Sequence, residues 1–219
     1  MKNYIIHFIR HGRTIGNEMR TYVGNTESPL SEGGKEELSE LKKKYGYPEA
    51  ETVFVSSLGR CIETAKIIYP DGDFIISDDI REMSFGEFEG KLPEELAGSE
   101  SYKLWLKDSA NNTPKGGENP GEFIARCCRG FEDSLLYMMK NGVTEAAIVT
   151  HGGVIMNLLA AYGLPRREML DWLVANGHGY SVRVTPTLFH SGKVFEVESM
   201  LPLGVQTVGN KETRRVFNL

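Results

Sequence analysis

Two nearly uninterrupted apolar runs limit what this chain can fold into more than any other feature. Tyr4-Ile5-Ile6-His7-Phe8-Ile9 and Ala146-Ala147-Ile148-Val149 lack the alternation of a half-exposed strand. Such runs belong to parallel strands covered on both faces. Each stops at a histidine followed by glycine, in Arg10-His11-Gly12-Arg13 and in Thr150-His151-Gly152-Gly153. An open α/β sheet collects its ligands at the carboxyl ends of its strands, so histidines distant in the chain can meet there. The glycines let backbone approach a ligand closely, and a helix starting after the second would aim free N–H groups at an anion.

Between and beyond these runs, strand and helix signals alternate in the βαβ manner. Ser31 can cap a helix that carries Leu38 and Leu41 and ends at Gly46. Residues 52–55 read as a second strand, 60–68 as a helix ended by Pro70-Asp71-Gly72, and 74–76 as a third strand. From Met83 to about Asn119 the pattern is broken by Gly86, Gly90, Pro93, Gly98, Pro114 and Gly116-Gly117. Its aromatics Phe85, Phe88, Tyr102 and Trp105 read as exposed, and the stretch is expected to be an insertion or lid. Pro120 opens a long helix with Phe123, Phe131, Leu135 and Met138, ended by Asn141-Gly142. After the strand that precedes His151, a helix through Met156, Leu158 and Leu159 runs up to Gly163. Residues 180–184, and 188–190 with 194–197 around a Ser191-Gly192 turn, are expected to close the sheet as antiparallel strands.

The fold class so predicted is α/β, a three-layer sandwich with a mostly parallel sheet and helices on both faces. One domain is expected over 1–219, with the lid insertion at about 83–119; residues 200–219 carry no pattern that assigns them a structure. At 219 residues and 40% hydrophobic, the chain can bury such a core.

Charge and cysteine usage exclude several functions. A formal net charge of −5 provides no broad positive field for nucleic acid or a membrane surface, so any anion specificity must be local. No stretch is apolar enough to span a bilayer, and Met1-Lys2-Asn3 lacks a signal peptide's apolar segment, so the expected place is the cytoplasm. Cys61, Cys127 and Cys128 form neither a disulfide framework nor a metal spacing. His7, His11, His151, His178 and His190 include no pair at metal-ligand spacing, and no metal or other cofactor is expected.

A histidine beside an arginine at a strand end suits phosphoryl transfer: the imidazole attacks phosphorus while the guanidinium holds the phosphoryl oxygens. Arg60 adds a second guanidinium. It opens a helix, where the dipole slightly disfavours a cation, and a bound anion would resolve that conflict. After the third strand, Arg81-Glu82-Met83-Ser84-Phe85-Gly86-Glu87-Phe88-Glu89-Gly90 holds three carboxylates; a solvated surface loop accounts for Glu87 and Glu89 more readily than for Glu82.

Further residues fall into a familiar order. Arg10-His11-Gly12 with Thr14 and Asn17, Ser28-Pro29-Leu30-Ser31 with Gly33-Gly34, Ser56-Ser57 with Arg60 and Thr64-Ala65, Arg81-Glu82 with Phe85-Gly86 and Glu89-Gly90, Gly116-Gly117-Glu118, and His151-Gly152-Gly153 follow one another. In these the chain, over roughly 4–160, resembles the histidine phosphatase superfamily, also called phosphoglycerate mutase-like. The resemblance implies His11 as nucleophile, His151 as its partner against the phosphoryl group, and Arg10 and Arg60 as clamps on the phosphoryl oxygens. It implies Asn17 as a neutral donor in the same pocket and Glu82 as the general acid, with no metal. It says little of 164–219.

The chain also departs from the family pattern. Gly16 stands where many members carry tryptophan and is expected to widen the pocket entrance; Glu27 stands where aspartate is commoner. Gly16, with Arg20, Tyr22, Gly24 and the 85–91 stretch, is most similar to bacterial members of α-ribazole phosphatase type, which act on a nucleotide-like phosphomonoester in cobalamin assembly. The expected partner is accordingly a small-molecule phosphate ester; the oligomeric state is left open. The alternatives are a 2,3-bisphosphoglycerate-dependent phosphoglycerate mutase and a non-catalytic phospholigand-binding member. A mutase must shield phosphohistidine under a longer, more basic lid, whereas residues 83–119 offer only Lys91, Lys103, Lys107 and Lys115 as cations. A binder has no need of a proton donor.

Overall fold

The computed structural model describes residues 2–204. From the N-terminus, β1 (Tyr4–Arg10) leads through the short α1 (Ile15–Met19) to α2 (Glu32–Tyr45), then β2 (Thr52–Ser56), α3 (Gly59–Ile68) and β3 (Phe74–Ser77). A 3₁₀ turn at Gly86–Phe88 and the helices α4 (Pro93–Leu96) and α5 (Glu100–Lys107) precede the long α6 (Pro120–Asn141). The chain then forms β4 (Glu145–Thr150), α7 (Gly152–Tyr162), the two-residue β5 (Gly163–Leu164), β6 (Gly179–Val184), α8 (Pro186–Gly192) and β7 (Phe195–Leu201).

Among the described residues the sheet has seven strands in the order β3-β2-β4-β1-β6-β7-β5. β3, β2, β4 and β1 run parallel, and β6 pairs antiparallel to both β1 and β7. Alternate residues of the central strands enter different cores. Ile6, Phe8, Phe54 and Ile148 pack with Phe123, Phe131 and Leu135 of α6 and Val154, Ile155 and Leu158 of α7. Ile9, Val53, Val55 and Val149 pack on the other face with Leu38 of α2 and Cys61, Ala65 and Ile68 of α3. This is the expected three-layer α/β arrangement.

Local signals explain several boundaries. The Ser31 hydroxyl accepts from the Gly34 N–H at the start of α2, and Gly46, at φ 76°, ends that helix. The Asn119 carboxamide caps α6, with Pro120 at the first turn, and Gly142 ends it in the left-handed conformation. The adjacent strands β1 and β4 end in register, Arg10 opposite Thr150. The chain leaves β1 for the face of α2 and leaves β4 for the face of α7. The two loops diverge above the strand ends that carry His11 and His151, the topological crevice where such sheets bind ligands.

Two expectations are corrected. Residues 188–190 are not a strand: Pro186 opens α8, and Phe189 packs edge-on against Phe131 and Tyr162. Tertiary packing overrides the β-like run, and β7 alone returns beside β6, reaching past the expected 194–197. The aromatics of the 83–119 stretch are also less exposed than expected. Phe88 and Tyr102 are buried with Leu96, and Tyr22, Phe85 and Trp105 pack around them. A small core of its own therefore holds this segment together. The remainder of the unassigned 200–219 stretch lies outside the described residues beyond Gly204.

Candidate active site

His11 is the first residue beyond β1, and its ring is almost wholly buried. Its backbone is tied on two sides: its N–H donates to Thr150 O at 2.9 Å, and its carbonyl accepts from the Asn176 carboxamide at 3.0 Å. Nδ1 lies 2.7 Å from the Gly12 carbonyl. A carbonyl only accepts, so Nδ1 carries the proton and Nε2 presents its lone pair. Burial, aided by the charges of Arg60 and Arg10, holds the imidazole well below its usual pKa. The ring is a neutral imidazole, with a free Nε2 lone pair, set in a cationic surrounding.

His151 lies beside it at the end of β4, with ring centroids 5.2 Å apart and planes at 62°. The Arg60 Nε–H donates to Nδ1 at 3.3 Å, which leaves the His151 proton on Nε2, donated to Ser56 Oγ at 2.8 Å. Burial, then the charge of Arg60, keeps this imidazole neutral as well. Both of its nitrogens are engaged by protein groups, so a direct bond to a ligand requires exchange with one of them. The Cys61 thiol lies 3.4 Å from Nε2, and burial pushes its pKa up to about 12, which makes it a packing group.

The two guanidinium groups are held mainly by backbone. Arg10 Nη1 donates to Val174 O at 2.7 Å. Burial pulls the Arg10 pKa down to about 10, still fully protonated at neutral pH. Arg60 is completely buried and donates to Thr26 O at 3.0 Å and to Gly24 O. The expected dipole conflict at α3 is thus met by two carbonyls, while Glu27 supplies the anion at the helix start, accepting from the Gly59 N–H at 3.2 Å.

The loop that holds Arg60 is itself held by Glu89. One carboxylate oxygen accepts from Asn25 N at 2.9 Å and Phe85 N at 2.8 Å; the other accepts from Gly24 N at 2.9 Å and Thr26 N at 3.3 Å. Four backbone N–H groups engage this carboxylate. Glu87, by contrast, is exposed and only accepts from the Ser101 hydroxyl.

Glu82 reaches the same crevice from the exit of β3. Its Oε1 accepts from Met83 N and its Oε2 from Gly153 N in the first turn of α7, both at 3.0 Å. The first turn of α7 thus donates to a protein carboxyl group. A Cβ at position 153 would stand 2.3 Å from Glu82 Oε1, so the second glycine after His151 makes room for this side chain. Asn17 completes the group. Its carboxamide oxygen accepts from Thr14 N at 3.1 Å and from Asn176 Nδ2 at 3.3 Å, which leaves its NH₂ as the group to offer a ligand.

All six residues picked out in the sequence therefore lie around one crevice. One expectation about its rim fails. Gly16 is buried, and a Cβ there would lie 2.4 Å from Val23 Cγ2 and 3.1 Å from Ser28 Oγ. The missing side chain's space is filled by Val23, so the glycine permits tight packing of α1 instead of widening an entrance. Asn176, Val174 and Glu89 are framing residues that the sequence reading did not assign; the Asn176-Gly177 pair, with Gly177 at φ 72°, was a turn signal available for the first. Among the described residues no group of three or more His, Cys, Asp and Glu could hold a metal ion.

The chain matches the family model described as "Histidine phosphatase superfamily (branch 1)" over residues 6–194. The chain belongs to this superfamily. It is 30% identical over 166 residues to a Yersinia enterocolitica protein named "Probable phosphoglycerate mutase GpmB", covering 73% of this chain and 75% of that one. It is 27% identical over 174 residues to the adenosylcobalamin/alpha-ribazole phosphatase of Escherichia coli K12, covering 77% of this chain and 84% of the other. The crystal structure of the alpha-ribazole phosphatase from Shigella flexneri superimposes with a TM-score of 0.78 at 25% identity, over 93% of this chain and all of that one. The protein is thus a phosphatase-type enzyme of the histidine phosphatase superfamily. Among its described residues no helix is long and apolar enough to cross a membrane.

Proposed function

We propose that the protein hydrolyses a small phosphate monoester through a phosphohistidine at His11. The observation that carries this reading is the Nδ1–H bond to Gly12 O, which leaves the Nε2 lone pair of a neutral, buried imidazole between two guanidinium groups. His11 Nε2 forms a bond to phosphorus as the ester P–O bond breaks. Arg10, Arg60 and the Asn17 NH₂ hold the phosphoryl oxygens, donors placed before charge develops. His151 exchanges Ser56 for a phosphoryl oxygen, to which Nε2–H donates. Protonated Glu82 gives its proton to the leaving oxygen. Water then attacks phosphorus, returning a proton to Glu82, and the N–P bond breaks to release phosphate and neutral His11. No resident metal or organic cofactor takes part, and the chain works as one domain, in the cytoplasm, with its 83–119 segment as a lid.

The substrate class proposed is a small phosphorylated metabolite of the α-ribazole 5′-phosphate kind. The mutase names among the relatives favour a second reading, transfer between phosphoglycerate positions primed by 2,3-bisphosphoglycerate. The 83–119 segment weighs against it: its ordered helices are only Pro93–Leu96 and Glu100–Lys107, and Lys103 is engaged by Glu100. A third reading, a binder without turnover, leaves Glu82 and its glycine-made niche without a purpose.

One set of assays separates the three. α-Ribazole 5′-phosphate, other phosphomonoesters and 3-phosphoglycerate with 2,3-bisphosphoglycerate are offered in the presence of a chelator. Phosphate release with vanadate inhibition is expected; 2-phosphoglycerate formation would establish the mutase, and no turnover the binder. A rapid base quench should trap a phosphoryl group on the wild type that later acid treatment removes. His11→Ala should lose ~10³-fold or more in kcat and all of that label. Retention of most activity by His11→Ala would overturn the mechanism.

A further inference from the structure

The exit from β3, residues 78–82, runs without regular secondary structure; Asp78 O accepts from the Arg81 N–H at 3.2 Å and Nε–H at 3.3 Å, and the other carbonyls need partners from elsewhere. One side chain supplies most of them. Arg126 Nη1 donates to Asp78 O at 3.2 Å and to Asp79 O and Arg81 O at 3.0 Å, and Nη2 reaches Glu82 O at 3.5 Å. The remaining carbonyl, Ile80 O, accepts from Thr150 Oγ1 at 2.7 Å, immediately before His151. Every carbonyl from 78 to 82 is thus bound to a side chain of α6 or of the end of β4.

Arg126 is in turn fixed. Its Nε and Nη2 pair with both oxygens of Glu118, at 2.9 and 2.7 Å, and its guanidinium lies 5.2 Å over the Phe123 ring. The Glu118 N–H donates to Ser84 O at 2.9 Å, two residues beyond Glu82. The Glu82 backbone is therefore gripped before and after by one ion pair, while its carboxyl group rests on the N–H groups of Met83 and Gly153.

We infer that Arg126, braced by Glu118, is a positioning residue for proton transfer by Glu82: it sets where the acid meets the leaving oxygen without touching substrate. The inference rests on Glu82 as the general acid. A fork that binds carbonyls in several directions cannot be replaced by a point charge, so Arg126→Lys releases part of the segment while keeping the charge.

The experiment compares the wild type with Arg126→Lys, Glu118→Gln, Glu82→Gln and the Glu82→Gln/Arg126→Lys double variant. Substrates are a simple alkyl phosphate, whose leaving oxygen needs a proton, and p-nitrophenyl phosphate, whose leaving group departs without one. Melting curves verify that each variant is folded at the assay temperature. Arg126→Lys is expected to lower kcat for the alkyl ester by ~10–100-fold, the scale of an ångström-sized misplacement. Its rate of His11 labelling by the nitrophenyl ester should stay near wild type, since that step needs no proton from Glu82 and only the later attack of water, common to both esters, does. Glu118→Gln, which leaves the carbonyl bonds in place, should show the same pattern more weakly. In the Glu82→Gln background, Arg126→Lys should add no further leaving-group-selective loss. If Glu82→Gln discriminates the esters in the rate of His11 labelling while Arg126→Lys slows labelling by both equally, or its loss multiplies with that of Glu82→Gln, the positioning role is overturned and the acid stands. If Glu82→Gln itself slows His11 labelling by both esters equally, the acid reading falls and this inference with it.

Discussion

Glu89→Gln tests how the proposed phosphoryl clamp is built. Each Glu89 oxygen accepts one N–H from an exposed residue, Asn25 or Thr26, and one from a more enclosed residue, Phe85 or Gly24. Glutamine turns one oxygen into an NH₂ that faces two donors. The exposed N–H can turn to water. The enclosed one cannot, and a covered donor left without an acceptor costs ~1–3 kcal/mol. The loop from Gly24 to Thr26 relaxes to relieve this, and it carries both carbonyls that orient Arg60. A shift near 1 Å at a phosphoryl clamp lowers turnover by ~10²-fold. The assay is kcat/KM for p-nitrophenyl phosphate together with the vanadate inhibition constant, well below the melting temperature. Both should worsen. Glu87→Gln is the control, since that exposed carboxylate only accepts from Ser101 and should change stability by no more than ~0.5 kcal/mol. If Glu89→Gln clamps vanadate and turns over as Glu87→Gln does, the loop does not set Arg60 and the reasoning is wrong.

Four further outcomes are expected. His7, His11 and His151 all have pKa values lowered mainly by burial. The unfolded chain takes up these protons near pH 6.5 and the folded chain does not, so stability holds above that value. It falls on acidification by ~1.4 kcal/mol per pH unit per histidine until the folded values are reached, a slope that chemical unfolding at pH 7, 6 and 5 can measure. The same shift keeps His11 nucleophilic in mild acid, so the His11-labelling rate with p-nitrophenyl phosphate should not fall off at pH 6.5; a midpoint there would show a solvated imidazole. Gly153→Ala should displace Glu82 while leaving the sheet intact, slowing alkyl esters more than aryl ones, and Gly16→Ala should destabilise by ~1–3 kcal/mol through its contact with Val23.

What could be read in advance followed from local rules. Ile6 and Phe8 face one core and Ile9 the other, and a strand buried on both faces must be written as a continuous apolar run. Ser31, Gly46, Pro120 and Gly142 mark helix ends because capping is local chemistry. The errors lie where a distant contact decides. Phe189 sits on a helix because Phe131 and Tyr162 receive it there, and Gly16 is small because Val23, seven positions on, occupies its space. In the site, the charged and imidazole groups were legible and their supports were not. Arg60 is oriented by the carbonyls of Gly24 and Thr26, and Arg10 by that of Val174. Every residue type has a carbonyl, so such partners leave no trace in composition or spacing.

The same choice of partner has a chemical consequence. A carboxylate orients a guanidinium by neutralising it, whereas a carbonyl orients it and leaves the net charge intact. Arg60, with a carbonyl frame and a neutral imidazole on its Nε, can therefore present nearly its whole charge to a phosphoryl group. Arg126 has the opposite arrangement: Glu118 neutralises it through a bidentate pair, and its remaining donors grip backbone. Three acidic side chains divide by how fully their oxygens are taken up. Glu118 is consumed on a guanidinium and Glu89 on four backbone N–H groups, while Glu82 accepts from only two, beside the crevice. A phosphohistidine enzyme needs cations at the phosphorus and a transferable proton at the leaving oxygen. On the proposed mechanism, how fully each arginine and glutamate is taken up by protein partners separates those that would meet substrate from those that hold the others in place.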